Sequence, residues 1–467
     1  MTAHRAAARR LGGAPMSGRD ATMDGLAVVP PERTDALAAA RGSALHMFGA
    51  DAYEQEVIEG RAAGRPWFLL NAPEAIQHVL VNAPENYRRT AASIRILRPI
   101  TGRGLLLTEG EEWRWQRRTT APALAPRSLR LLVPHMARAA QATRDALAAE
   151  ADAGPVDLLA AMQALALDIA ARSMFSLATG GFGPQLRAEL GRFGPRLAQP
   201  TMLDMLLPIE VPAPRDLARW WFRRRFVRLM DAVVAERATT PPPEVPRDLF
   251  DLLVAARDPE TGGRFTPVQL RDQITTLIVA GHETTALALF WSLYLLAITP
   301  DAQARVAEEA TGVDLGPEQA GAALPRLAYA AAVVNEALRL FPPAFTLVRQ
   351  ARVDDVAGAI AIPRRSVVMI APWVLHRHKR LWEAPDAFRP ERFLPDAPTP
   401  PRYAYLPFGA GPRVCVGAQF ALMEATLALA VLVRAFRVVL ADSRPVLPAP
   451  VITTQPDHAP PFRLTRR

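Results

Sequence analysis

The sequence predicts a mainly α protein with small peripheral β-sheets. Five long stretches carry apolar residues at helical spacing: 129–149, 156–177, 220–237, 324–340 and 417–436. Strand-like runs are short and clustered, at 67–70, 348–353, 359–362 and 367–370. One further helix is fixed at its start, because Thr266 can cap it, Pro267 sits at N1 and Gln269 at N3 completes a capping box. Its apolar run reaches about residue 298. At about 1.5 Å per residue it spans roughly 48 Å, enough to cross a domain and floor an active site.

The remaining elements follow in order. The runs at 359–362 and 367–370 face each other across a Pro-Arg-Arg turn, and proline-rich stretches at 208–214 and 241–246 read as loops, since proline cannot continue a helix. Neither is long enough to link two domains. With half of its 467 residues apolar and 22% charged, the chain can bury a large core. A single domain over 26–467 is expected, preceded by a disordered basic arm over 1–25, within which Met1, Met16 and Met23 are alternative starts. No repeat is present.

Composition narrows the function classes. The formal charge of +9 is carried almost wholly by arginine, Lys379 being the only lysine, in a chain rich in alanine and proline. Such a bias reflects coding composition, and no nucleic-acid-binding motif accompanies it. An acidic protein partner remains compatible with the charge. A single cysteine rules out an intrachain disulfide and a multi-cysteine metal site, and fits a reducing, cytoplasmic compartment. The start lacks the apolar core of a secretory signal. No uninterrupted apolar run of about 18 to 20 residues exists, and the nearest, 274–298, is interrupted by His282 and Glu283. The expectation is a monomer with no membrane span.

The most informative segment surrounds the lone cysteine: Pro407-Phe408-Gly409-Ala410-Gly411-Pro412-Arg413-Val414-Cys415-Val416-Gly417, followed by an apolar helix. An isolated cysteine is ordinarily an inert core residue. Here glycines at 409, 411 and 417 allow tight turns that aim amide groups at the sulfur, and Phe408 can shield it. Proximity to a helix N-terminus and to Arg413 favours the metal-binding thiolate. The segment resembles the cysteine loop of the cytochrome P450 family, Phe-Gly-x-Gly-x-Arg-x-Cys-x-Gly, at every fixed position. The resemblance implies that Cys415 is the axial ligand of a haem b iron, pushing electron density that favours O–O cleavage.

A second segment, Ala280-Gly281-His282-Glu283-Thr284-Thr285 in the long helix, resembles the oxygen-activating segment of the same family. Gly281 removes a side chain, and Thr284 can hydrogen-bond to a carbonyl one turn earlier, so the helix can open locally. The resemblance makes Glu283 and Thr284 the proton-relaying acid and alcohol. His282 has no second histidine at ligand spacing and reads as a neighbour of the site. Third, Glu336 and Arg339 stand at i and i+3, and Phe388-Arg389-Pro390-Glu391-Arg392-Phe393 resembles the family segment whose arginine, here Arg392, completes a buried Glu-Arg-Arg network.

By the same resemblance, Trp113, Arg117, Arg349, His376 and Arg413 are candidates to hold the haem propionates, for which the arginine fork is suited. Phe408, Gly409, Ala280 and Gly281 would line the cofactor. The family resemblance covers 26–467 and leaves no flavin or iron–sulfur module, so it implies electrons from NAD(P)H through a separate ferredoxin and reductase. Arg114, Arg117, Arg118 and Arg413 are expected to form the docking patch for that acidic partner. The resulting function is insertion of one oxygen atom of O2 into a lipophilic small molecule, a reading supported by the apolar stretch 202–209. A peroxide-using hydroxylase or an isomerase on the same fold, and a haem-thiolate gas sensor, are the alternatives. Both sit poorly with the acid–alcohol pair at Glu283 and Thr284.

Overall fold

A computed structural model describes residues 44–62, 64–176, 183–239, 243–450 and 452–467. The basic arm at 1–25 and the three alternative starts lie outside the described residues. Among the described residues, ten helices of eleven or more residues dominate: α1 (Ala91–Thr101), α2 (Gly110–Thr120), α3 (Pro126–Ala151), α4 (Leu158–Phe175), α5 (Gly183–Leu197), α6 (Asp216–Ala238), α7 (Pro267–Ile298), α8 (Pro300–Thr311), α9 (Ala328–Leu340) and α10 (Ala418–Ala435). The described residues also form twelve short strands, numbered in chain order: β1 (Val57–Ala62), β2 (Arg65–Leu70), β3 (Tyr87–Arg88), β4 (Val156–Asp157), β5 (Leu347–Ala351), β6 (Asp355–Ala357), β7 (Ile360–Ile362), β8 (Val367–Ile370), β9 (Phe436–Leu440), β10 (Pro448–Pro450), β11 (Thr454–Pro456) and β12 (Pro461–Arg466).

Helix α7 begins as its sequence requires. Thr266 Oγ1 accepts from Gln269 N, and Gln269 Oε1 accepts from Thr266 N, closing the capping box ahead of Pro267. Every residue from Ala286 to Ala297 is buried, the condition of a helix apolar on all sides. Helices α4, α7 and α10 are each long and apolar enough to cross a bilayer by length and composition. More than half of each apolar window is buried inside the protein, with α7 packed on both α4 and α10. Trp291 of α7 stacks on Phe341 at 3.9 Å between ring centroids, tying the long helix to the end of α9.

The strands form four small sheets, the largest ordered β1-β2-β8-β5-β3, with β2 and β8 parallel and the other pairs antiparallel. Three sequence expectations are corrected here. The runs around the Pro-Arg-Arg turn do not pair with each other: β7 pairs back on β6, while β8 joins β2 and β5. Arg365 at that turn takes φ +70, which redirects the chain into the second sheet. The expected helix at 156–177 yields its first two residues to β4, which pairs with β12, and Asp157 then caps α4 by accepting from Ala160 N. The helix expected from 324 starts in earnest only at Ala328, after a short 3₁₀ turn.

Candidate active site

A cavity of about 1220 Å3 lies between α7 and the loop that precedes α10. On one side it is walled by Pro407 to Ala410, Arg413, Val414, Cys415, Val416 and Gly417. The loop is shaped by two glycines in the left-handed region, Gly409 at φ +71 and Gly411 at φ +72. Gly411 is also sterically required, because a Cβ there would lie 1.9 Å from the Leu80 carbonyl oxygen. Gly417 has an ordinary φ of −95, and its N–H reaches the Cys415 sulfur, as expected of an amide in this loop. The loop is closed by Cys415 N donating to Phe408 O at 2.9 Å. Burial pushes the Cys415 thiol up from its ordinary value, opposed by the Gly417 N–H and by Arg117. The cation acting on the thiol is therefore Arg117, not Arg413 as the sequence led one to expect.

Across the cavity stand Ala280, Gly281, Thr284 and Thr285 of α7. The helix runs unbroken through this segment, so the local opening expected from sequence is not built into its backbone. Thr284 Oγ1 does donate to Ala280 O, at 2.6 Å. A Cβ on Gly281 would meet nothing within 4 Å; the missing side chain leaves open space, not a backbone contact. Glu283 is placed differently from Thr284. It is not on the cavity wall, and its Oε1 accepts hydrogen bonds from Thr453 and Gln455 of the C-terminal segment. His282 turns to the third face, buried against α4, with Nε2 3.0 Å from Gln163 O and its pKa lowered by burial to about 4.

One end of the cavity collects guanidinium groups. Trp113 and Arg117, one turn apart on α2, both face it, and Arg117 donates to Val414 O at 2.9 Å. Arg413 lies 4.3 Å above the Trp113 ring and donates one N–H to Thr108 O, but its buried Nη1 has no hydrogen-bond partner. Arg349, from β5, is partly buried and spends one donor on Val348 O. Arg89 was not anticipated. It follows β3, lines the cavity, and its buried Nε is unpartnered. Burial, then Arg349 and Arg413, lower its pKa to about 9, with only Glu109 opposing them. The sequence offers one signal for it, the Arg88-Arg89 pair, in which Arg88 is spent on Gln350. Three guanidiniums that repel one another, two of them with an unpartnered buried donor, fit a ligand bearing carboxylates, as haem does with its two propionates.

Glu336 and Arg339 of α9 are fully buried and paired at 2.7 Å, and Arg339 also donates to the carbonyl oxygens of His376 and Ala387 at 2.9 Å each. Arg392 approaches Glu336 Oε1 at 3.5 Å without hydrogen-bonding through Nε, and its Nη2 donates to Glu383 O and Ala384 O. Arg389, by its backbone N–H, supplies the third hydrogen bond to Glu336, at 2.8 Å.

His376 is a correction. It is absent from the cavity wall, Nδ1 lies 3.2 Å from Arg339 O, and Nε2 accepts from Leu406 N at 2.8 Å. With both nitrogens used, it braces the cysteine loop against α9 and has no donor left for a propionate. The expected docking patch is also dispersed. Arg114 pairs with Glu111, Arg118 with Asp258 and Glu260, and Arg117 and Arg413 turn inward.

Comparison with known proteins agrees with this geometry. The family profile described as Cytochrome P450 matches residues 50–459. The chain is 35% identical over 390 residues to "Cyclooctatin synthase" of Streptomyces melanosporofaciens, covering 82% of this chain and 83% of that protein. It is 29% identical to "Cyclooctat-9-en-7-ol 5-monooxygenase" of the same organism, covering 82% of each. A crystal structure of the cytochrome P450DA heme domain shares the fold, with a TM-score of 0.75 at 24% identity over 88% of this chain and 90% of that one. By these matches the chain belongs to the cytochrome P450 family and is a haem monooxygenase.

Proposed function

We propose that this enzyme hydroxylates a lipophilic small molecule of the isoprenoid type, using two electrons from NAD(P)H delivered by a separate ferredoxin and reductase. The observation that carries the lipophilic character of the substrate is the cavity wall. It includes Ile94, Leu97, Met174, Leu277, Ile278 and Phe345, side chains that reward burial of a ligand's apolar area. One relative's printed name makes it a monooxygenase of cyclooctat-9-en-7-ol, which agrees in chemical class.

Cys415 would hold the haem iron from one side. Arg89, Arg117, Arg349 and Arg413, with Trp113, would take the propionates, and Phe408, Gly409, Ala280 and Gly281 would pack on the ring. When bound, the haem supplies the reduction and splitting of O2. This chain's own part is to exclude water with the apolar wall and to deliver protons. Thr284 can release its bond to Ala280 O and present its hydroxyl to the cavity. Glu283, held by Thr453 and Gln455, acts as a proton reservoir one residue away and reaches the cavity through water or a change of rotamer. The single-domain organisation over 26–467 and a cytoplasmic site of action fit a chain with one, metal-committed cysteine.

The test is a spectral screen. The reduced, carbon monoxide-bound protein should show the red-shifted Soret band of thiolate-ligated haem, lost in Cys415→Ser. Terpenes, fatty acids and steroids are then titrated for the spin-state shift that follows displacement of haem-bound water. Shifts with cyclic terpenes and labelled oxygen in the product support the reading; a response confined to polar compounds overturns it.

A further inference from the structure

A hydroxyl buried in a helix ordinarily bonds back to the carbonyl one turn earlier, and several here do so. Thr119 Oγ1 donates to Trp115 O at 2.8 Å, Thr276 Oγ1 to Asp272 O at 2.6 Å and Ser292 Oγ to Ala288 O at 2.7 Å. Ser173, near the end of α4, does not. The residue is 2% exposed, its Oγ is buried without a hydrogen-bond partner, and it stands on the wall of the cavity. The carbonyl of Ile169, one turn back, is left untaken by the hydroxyl.

The end of α4 is fixed, so fraying does not explain the open hydroxyl. Ser176 closes the helix at φ +57 and donates from Oγ to Asp248 Oδ2 at 2.7 Å, and Phe175 packs on Phe250 at 6.1 Å between ring centroids. Leu249, between those two partners, lines the cavity, as do Ala170 and Met174 of α4. None of the three side chains carries an oxygen or a nitrogen. A trapped water needs about two to four polar partners, and these side chains leave it the serine alone. An orphaned hydroxyl in such surroundings is costly until a ligand oxygen completes it.

Ser173 also stands apart from the oxygen-handling end of the cavity. His282 Nε2 lies 3.0 Å from Gln163 O, which sets α4 against α7 close to Thr284. From Gln163 to Ser173 the chain climbs about 15 Å along α4 at the helical rise. Thr285 and Thr346 likewise show unpartnered hydroxyls to the cavity, but at the haem end: Thr285 follows Thr284, and Thr346 precedes Leu347, whose side chain lies 3.8 Å from the Cβ position of Gly409 in the cysteine loop. A ligand whose reacting carbon sits at Thr284 reaches Ser173 only with its far end.

We propose, resting on the lipophilic-substrate reading, that Ser173 determines specificity: its hydroxyl hydrogen-bonds an alcohol or carbonyl oxygen at the end of the substrate remote from the haem iron. The substrate is then an apolar skeleton that already carries one oxygen, and this enzyme adds the next at the opposite end. The reaction that supplies such a substrate is an earlier oxygenation, or a cyclisation ended by capture of water.

The test is a spin-state titration of the haem-loaded enzyme with probes matched in skeleton, cedrene against cedrol and cholestane against cholestanol. The readout is the ratio of affinities, alcohol over hydrocarbon, within each pair. Ser173→Ala should lower that ratio by about five- to tenfold in at least one pair, the loss of one neutral hydrogen bond. Ser292→Ala, which removes a hydroxyl already bonded to Ala288 O, should leave it as in the wild type. The haem spectrum of each variant reports its fold. A ratio unchanged by Ser173→Ala overturns the proposal. So does an equal weakening of both members of a pair, because a serine that only packs or holds a water acts on both alike. Shifts that ignore the oxygen leave the lipophilic-substrate reading standing without its anchor, whereas no shift with any of the probes overturns both, so the two failures are distinguishable.

Discussion

The Glu336 carboxylate and the Arg339 guanidinium meet as a two-point fork, Nε to Oε2 and Nη2 to Oε1 at 2.7 Å each, with neither side chain exposed. Arg339 continues to carbonyl oxygens of the chain that leads to the cysteine loop, and His376 joins α9 to Leu406 just ahead of it. The pair thus anchors the loop from behind. Glu336→Gln strands a buried cation and should cost about 3 to 5 kcal/mol. Urea unfolding of the haem-loaded protein measures it, and an unchanged midpoint would show that the remaining carbonyl contacts suffice.

Arg89 tests the propionate end of the cavity. Its unpartnered Nε and its repulsion with Arg349 and Arg413 mean that a bound carboxylate gains more here than at an exposed arginine. Arg89→Ala should speed haem transfer to an acceptor such as apomyoglobin by about tenfold, one charge-assisted bond of roughly 1.5 kcal/mol being lost. Arg88→Ala, whose guanidinium is occupied by Gln350, should leave the rate as it is.

Two glycines should respond in opposite ways. Gly411→Ala drives a Cβ into the Leu80 carbonyl at a left-handed backbone position, so it should distort the loop and yield little haem-loaded protein. Gly281→Leu meets no protein atom at Cβ. It should raise the stability of the apoprotein by up to about 1 kcal/mol through helix propensity, while slowing carbon monoxide binding to the reduced enzyme. Equal losses of stability in both variants would show that Gly281 is structural.

Thr284→Ala removes the hydroxyl on the cavity side of α7. Electron consumption should continue, with a larger share of it appearing as hydrogen peroxide and a smaller share as product. Thr284→Ser, which keeps the donor, should restore most of the coupling; equal coupling in all three proteins counts against the relay.

The buried histidines set an acid limit. Burial holds His282 at about 4, and burial with Arg339 beside it holds His376 at about 3, both below the unfolded value of 6.5. The unfolded chain therefore binds more protons than the native one between these values. Stability should fall as pH drops below about 6.5, by about 1.4 kcal/mol per pH unit for each histidine, and this contribution levels off below the folded values. His282→Gln should flatten the slope between pH 6 and 5 by about that amount for one histidine.

What the sequence determined by itself is what local chemistry specifies. The capping box at Thr266 and Gln269 requires only neighbouring residues, so the start of α7 was legible, as were the left-handed positions at Gly409 and Gly411. The resemblance at Cys415 rests on the same contiguous loop. Which way a side chain points within one helical turn depends on what packs against the helix. Tertiary structure alone sends Thr284 into the cavity, Glu283 to Thr453 and Gln455, and His282 to Gln163. Packing likewise withdrew His376 from the propionate set by using both its nitrogens, brought in Arg89 from the loop after β3, remote in sequence, and dispersed the expected basic patch, Arg114 and Arg118 into ion pairs and Arg117 and Arg413 inward. Strand partners also differed, because β8 is chosen by β2 and β5 across the sheet and not by the nearest run. Local motifs carry the cofactor chemistry; the burial and pairing of charges, which depend on distant contacts, decide which residues serve it.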